Sequence, residues 1–197
     1  MSASARPRNL ALFGGTFDPV HEGHLDIARK AHETCHLDEV IFIPCRQSPH
    51  KNSVPAVSET DRLAMLTLAT RDLPWASVNP LEINAPPPSF TWKTAEILRA
   101  QNPPNTRFHL LIGLDQWKNL PFWQCADRLA ASLHFIVVGR DGQPAPRVGY
   151  DATFIFGDHP ASASDIRARL ALDQAPDWLP PQVSHYIEQR NLYQSES

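Results

Sequence analysis

Cysteine is scarce in this chain: the three present, Cys35, Cys45 and Cys125, are odd in number and never spaced as CxxC. That argues against a disulfide framework and a zinc knuckle, and it points to a reducing cytoplasm. Also missing is any uncharged apolar run of the roughly 20 residues a bilayer demands, and the opening MSASARPRNL has no apolar signal core. Nor is there a surplus of positive charge, with 18 Lys and Arg against 21 Asp and Glu. Broad binding to nucleic acid or to a membrane surface is thereby disfavoured, so any phosphate must be gripped locally. No internal repeat or low-complexity block appears, and the exposed helix faces carry no self-complementary pattern that would mark an oligomer. What is present is 197 residues at 42% hydrophobic content, enough for one full core. Residues 1–7 read as a flexible tail and 8–197 as a single domain.

Short apolar runs alternate with longer segments of helical period, which is the pattern of βαβ units and hence of an α/β protein with a parallel sheet. The runs are NLALF, EVIFIP at 39–44, RFHLLIG at 107–113, LHFIVVG at 133–139 and ATFIFG at 152–157, with a weaker strand, ASVNPLEI, at 76–83. Between them EGHLDIARKAHETC, SETDRLAMLTLATR, FTWKTAEILRAQ and FWQCADRLAASL each show an apolar face and are predicted to be crossover helices. Prolines 86–88, 103–104, 144 and 146 all fall in the gaps, where loops belong. From Ser162 the pattern gives a helix, a turn near Pro176, and a last helix packed through Val183, Ile187 and Leu192.

The densest chemistry lies in FGGTFDPVHEGH, residues 13–24, between the first strand and the first helix. Open parallel sheets place their ligand crevice there. Gly14 and Gly15 let the backbone come close to a ligand, and a helix start after Val20 offers unpaired N–H groups to a phosphate. His21 and His24, three apart, share a helical face and can both donate to a phosphate that is gaining charge. A dinucleotide-binding loop would read GxGxxG with an acidic residue ending strand two, but that strand runs into PCRQSPHK, whose Arg46, His50 and Lys51 suit phosphate. A P-loop would need GxxxxGK[ST], and a zinc-protease helix HExxH; neither spacing occurs here. The plain alternative is a Gly-Gly turn bearing two surface histidines.

The residues GGTFDPVHEGHL resemble the GGTFDPxHxGH signature of the nucleotidyltransferase superfamily, and the rest of the chain is similar to its bacterial nicotinate-mononucleotide adenylyltransferases. SPHK at 48–51, DRLAML at 61–66, SFTWKT at 89–94, IGLDQWKNLPFW at 112–123 and SASDIR at 162–167 carry the resemblance along nearly the whole length. Family members usually have an Arg shortly before the S[YW]TxxT segment, where this chain reads EINAPPPSFT, and Ala163 and Ser164 stand within the family's SSTxIR.

The resemblance implies a Rossmann-like open parallel sheet with flanking helices and a C-terminal helical segment. It further implies transfer of the adenylyl group of ATP to nicotinate mononucleotide. His21, His24 and Arg167 would be the catalytic residues, with Gly14, Gly15, Thr16, Phe17, Gly113, Asp115, Ser162 and Ser164 binding ATP. The acceptor would be held by Lys51, Thr91 and Trp123, the last stacking on the pyridine ring. A phosphate nucleophile needs no general base, so catalysis reduces to positioning and charge stabilisation. With no paired carboxylates to form a metal cage, Mg²⁺ is expected to travel with the triphosphate. SASD also reads as a capping box from Ser162 to Asp165, and Asp115 as a helix N-cap. Trp92, Trp117 and the other histidines read as packing. Nicotinamide mononucleotide or phosphopantetheine are the alternative acceptors, and a non-catalytic nucleotide-binding module is the alternative of another class.

Overall fold

The computed structural model describes residues 6–49, 54–139 and 146–194. Strands β1 (Asn9–Gly15), β2 (Glu39–Pro44), β3 (Ala76–Val78), β4 (Arg107–Gly113), β5 (His134–Gly139) and β6 (Ala152–Phe156) form one sheet in the order β3-β2-β1-β4-β5-β6. Every pairing is parallel. This is the doubly wound Rossmann-like order, in which the chain moves outward from β1 in both directions and leaves a crevice beyond the carboxyl ends of β1 and β4.

Strands buried on both faces need apolar residues at odd and even positions alike, and the four central strands have them. Ala11, Phe13, Val40, Phe42, Leu111, Ile136 and Val138 face one layer of helices, made of α1 (Glu22–Thr34), α2 (Glu59–Thr70) and α8 (Pro181–Arg190), which add Ala28, Met65, Leu66 and Val183. The intervening residues Leu10, Leu12, Ile41, Ile43, Leu110, Ile112, Phe135 and Val137 face α4 (Thr91–Ala100), α5 (Leu114–Asn119) and α6 (Ala126–Ser132), which contribute Ala95, Leu98, Trp117 and Leu129. Trp117 lies wholly inside this second layer, the packing role expected of it.

Three boundaries differ from the sequence reading. The weak strand at 76–83 stops at Val78, because the Asn79 side chain accepts the Leu81 N–H at 3.0 Å and turns the chain into the short helix α3 (Leu81–Asn84). The helix expected from Phe122 begins only at Ala126, since Cys125 is in the left-handed region at φ 58° and Leu120–Phe122 form a separate 3-10 turn. Helix α5, six residues long and dominated by one buried Trp, shows too little periodicity to be read. Helix α7 (Ala163–Leu170) follows its expected start. Of the tail, residues 1–5 lie outside the described residues, whereas Arg6 pairs with Asp38.

At the opposite end of the sheet from the crevice, His109 of β4 lies beside His134 of β5, with ring centroids 5.3 Å apart. His134 is held by Asp151 at 2.9 Å and by the Thr153 hydroxyl at 2.8 Å. Both ring nitrogens of His109 are buried without a hydrogen-bond partner among the described residues. Burial first, then His134 and Arg107, push its pKa down to about 4, against the pull of Asp151. The unfolded chain therefore takes up a proton near pH 6.5 that the folded chain refuses until about pH 4, and stability falls as pH drops through that window. His109→Phe is expected to flatten the fall, measured as urea midpoints at pH 7 and pH 4.5.

Candidate active site

The site begins where β1 stops. Gly15 is followed by Phe17 in a left-handed conformation, φ 50°, so that the Phe17 ring folds back over the glycine. A Cβ on Gly15 would stand 2.8 Å from that ring, which is why a side chain is excluded there. Phe17 packs edge-on against Phe13 at 5.6 Å and against the His24 ring at 5.0 Å, giving the turn an aromatic floor.

Helix α1 then starts with His21 at its N-cap and His24 in the first turn. Their rings stack with centroids 3.7 Å apart. Gly23 makes this possible, since a Cβ there would come within 3.1 Å of the His21 ring and 3.3 Å of Ala161. The His21 backbone N–H donates to His24 Nδ1 at 3.3 Å. An Nδ1 that accepts leaves the ring proton on Nε2, so His24 has its donor at the far end of the ring. His21 is only 7% exposed and its Nδ1 has no hydrogen-bond partner among the described residues. Burial, reinforced by nearby His159, lowers its pKa to about 4, so the ring is neutral at pH 7. The two histidines therefore differ: His24 lines the cleft and His21 lies behind it.

Two cavities open on this turn. The larger, about 490 Å³, runs between the turn, the start of α5 and the start of α7, and includes Gly14, Gly15, Thr16, Phe17, His24, Gly113, Ser164 and Arg167. The smaller, about 110 Å³, lies over β2, β4 and α4 and includes Thr91, Trp123, Ser89, Glu82 and Thr94. Gly14, Gly15, Thr16 and Gln116 line both, so the turn forms the wall between them.

Most of the residues expected to hold ligands are thus gathered on these two cavities, with clear exceptions. Ser162 caps α7, accepting the Asp165 N–H at 3.5 Å, and faces a separate recess beside Arg169 and Trp178. Asp115 lines neither cavity: its side chain is 97% exposed, 3.9 Å from Lys118. It is not the N-cap of α5 either, because Gly113 holds that position and Gln116 accepts the Gly113 N–H at 3.0 Å. His50 and Lys51 lie outside the described residues.

Polar side chains hold the site together, and two buried ones, Arg62 and Glu82, were given no role in the sequence analysis. Arg62, 0% exposed, donates from Nη1 to the carbonyls of Thr16 at 2.7 Å and Cys45 at 2.8 Å, and from Nη2 toward Arg46 at 3.4 Å. It turns the carbonyls after β1 and β2 inward, as buried acceptors require. Arg167 donates to the Asp18 carbonyl at 2.6 Å. Glu82 accepts from the Thr94 hydroxyl at 2.6 Å and is raised above the usual carboxylate range, burial outweighing the hydroxyl bonds of Thr94 and Ser89. The loop before Ser89 is bonded to the segment after β2: the Arg46 backbone N–H reaches Ser89 Oγ at 3.1 Å, Arg46 Nη1 the Ala85 carbonyl at 3.4 Å, and Ser89 N the Gln47 carbonyl at 3.0 Å. These bonds tie the proline loop to the end of β2 and hold Ser89 at the rim of the smaller cavity. A DRL on a helix or an E in a short helix gives no sequence sign of burial, so Arg62 and Glu82 were invisible in the pattern.

The fold and the site define a nucleotidyltransferase of the cytidylyltransferase-like family, whose model matches residues 12–169. A Bacillus subtilis protein named nicotinate-nucleotide adenylyltransferase is 34% identical, over 95% of this chain and 100% of its own length. A Synechococcus protein named as a probable nicotinate-nucleotide adenylyltransferase is 35% identical over 94% of this chain and 95% of its own. The chain belongs to the nicotinate-nucleotide adenylyltransferase family. The fold is also that of the Plasmodium falciparum nicotinic acid mononucleotide adenylyltransferase solved with NaAD, at a TM-score of 0.78 with 20% identity, covering 94% of this chain and 97% of that one. Among the described residues no helix is long and apolar enough to cross a membrane.

Proposed function

We propose that the protein transfers the adenylyl group of ATP to nicotinate mononucleotide, giving nicotinate adenine dinucleotide and pyrophosphate, a step of NAD biosynthesis. The observation that carries this reading is the pair of cavities sharing the Gly14–Thr16 wall, one large enough for a triphosphate nucleotide and the other floored by apolar strand residues beside an aromatic and a Thr. A phosphate oxygen of the acceptor attacks the α-phosphorus of ATP at that wall. The bond from the α-phosphorus to the bridging oxygen breaks and pyrophosphate leaves, taking the electron pair.

His24 donates its Nε2 proton to the phosphates while neutral His21 fixes its ring from behind. The backbone at Gly15 and Thr16 and the start of α1 share the developing charge. Arg167, with Ser164 at the start of α7, holds the departing phosphates. Gly14, Phe17 and Gly113 shape the ATP side; Asp115 and Ser162 belong to this side only as flanking positions. Trp123 stacks on the pyridine ring, Thr91 with its neighbouring backbone receives the carboxylate, and Lys51 reaches the acceptor phosphate. Mg²⁺ would enter with the triphosphate as MgATP, its charge shared by the phosphate oxygens. Free Cys35, Cys45 and Cys125 accord with a cytoplasmic setting.

The test is pyrophosphate release from MgATP with nicotinate mononucleotide, nicotinamide mononucleotide and phosphopantetheine offered separately. Turnover with the first at least tenfold above the others is the expected result. Preference for another acceptor moves the claim to that substrate and leaves the phosphoryl chemistry standing; no turnover with any overturns it.

A further inference from the structure

The family model ends at residue 169, yet two aromatic residues beyond it reach back to the phosphate turn. After α8 the chain passes Asn191 at φ 50° and Tyr193 at φ 64°, and the Tyr193 hydroxyl donates to Asp18 Oδ1 at 2.8 Å across 175 positions of sequence. Trp178, at φ 70°, gives its carbonyl to the Glu22 N–H at 2.9 Å, occupying one of the amides at the start of α1. Left-handed backbone at bulky residues is strained and persists only where the surroundings impose it. Both strained aromatics flank the turn that carries the histidines.

Asp18 is 5% exposed and is a hub of the ATP side. Its Oδ2 accepts the Ala56 N–H at 2.7 Å, its carbonyl accepts Arg167 Nη1 at 2.6 Å, and Asp18, Ala56 and Arg167 all line the larger cavity. None of them lines the smaller one, and Tyr193 lines neither. A buried carboxylate oxygen deprived of its donor must find another. The cations whose charge reaches this pair are Arg167, bonded to the Asp18 carbonyl, and Arg62, whose Nη1 is taken by the Thr16 and Cys45 carbonyls. By filling Oδ1 with a neutral donor, the Tyr193 hydroxyl leaves the Arg167 guanidinium to the cleft.

We propose that Tyr193 is a positioning residue for the nucleotide half of the reaction: through Asp18 it keeps the turn closed and Arg167 directed at the leaving phosphates. Burial and the Asp18 carboxylate push its phenol pKa upward, so the hydroxyl remains a donor at every working pH. The inference rests on the adenylyltransferase reading for its kinetics but not for its binding measurement.

The experiment compares the full-length chain with Tyr193→Phe, which keeps the ring and removes one oxygen, and with Asp18→Asn and the double variant. Calorimetry of MgATP binding and steady-state turnover are measured well below the melting temperature of each. Tyr193→Phe is expected to weaken MgATP binding about tenfold and lower kcat/KM for MgATP similarly, with the KM for nicotinate mononucleotide unchanged. The double variant is expected to be no worse than Asp18→Asn, because the two act through one bond. Unchanged MgATP binding in Tyr193→Phe overturns the proposal, as does an equal loss on the acceptor side, which is what general loosening would produce. If the unaltered protein binds MgATP but turns nothing over, the adenylyltransferase reading fails, and the binding comparison alone decides the role of Tyr193.

Discussion

Replacing His24 by alanine is expected to lower kcat by about 10²–10³-fold, the usual cost of removing one aligned donor from a developing phosphate charge. The ring packs edge-on against Phe17 and stacks on His21, but the floor beneath it is built by Phe13, Phe17 and Phe42 and survives its loss. MgATP binding should therefore fall much less than turnover. Pyrophosphate release under single-turnover conditions, with the folded state checked by near-UV circular dichroism, makes the measurement. A loss confined to KM would mean that His24 holds ATP equally in ground and transition states, and would remove it from the catalytic set.

The second large effect concerns stability and function together. Arg62→Met leaves two carbonyls that accept at under 3 Å, those of Thr16 and Cys45, buried without their donor. Each orphaned buried acceptor costs about 1–3 kcal/mol, so the unfolding midpoint in urea is expected to fall by the equivalent of roughly 3–5 kcal/mol. Because these carbonyls directly follow β1 and β2, the wall between the cavities moves with them, and affinity for both substrates falls. Arg62→Lys does not repair this: an ammonium is one compact donor group on a flexible stem, while the guanidinium spans both carbonyls from a fixed plane. If Arg62→Met retained wild-type stability and MgATP affinity, the organising role of this buried cation would be refuted.

All six strands were read in the sequence, the four central ones because strands covered on both faces must be apolar almost throughout, and EVIFIP or HFIVVG leave little else to choose. The short edge strand β3, half-buried along its length, carries no such constraint, so its end at Val78 was settled by the Asn79–Pro80 turn. The phosphate turn was legible for another reason: two of its three glycines are forced by ring contacts within a few residues, Phe17 over Gly15 and His21 over Gly23. Local causes leave local patterns. Arg62 under the turn, Gln116 between the cavities and Tyr193 on Asp18 act across folds of the chain, and no spacing in a single sequence encodes such meetings. Asp115 shows the converse: an acidic residue at a strand end looks poised for a ligand, and its exposure is decided by the rotation of a six-residue helix.

The partition between the two cavities is made mainly of main chain at Gly14, Gly15 and Thr16. A barrier of peptide groups is largely indifferent to side-chain substitution on either flank. On the function proposed above, the smaller cavity, bounded by Ser89, Thr91 and Trp123, can be remodelled for a different recipient without disturbing His24 or Arg167 across the divide. Recipient and donor are then separately heritable traits, joined at Gly14, Gly15, Thr16 and Gln116.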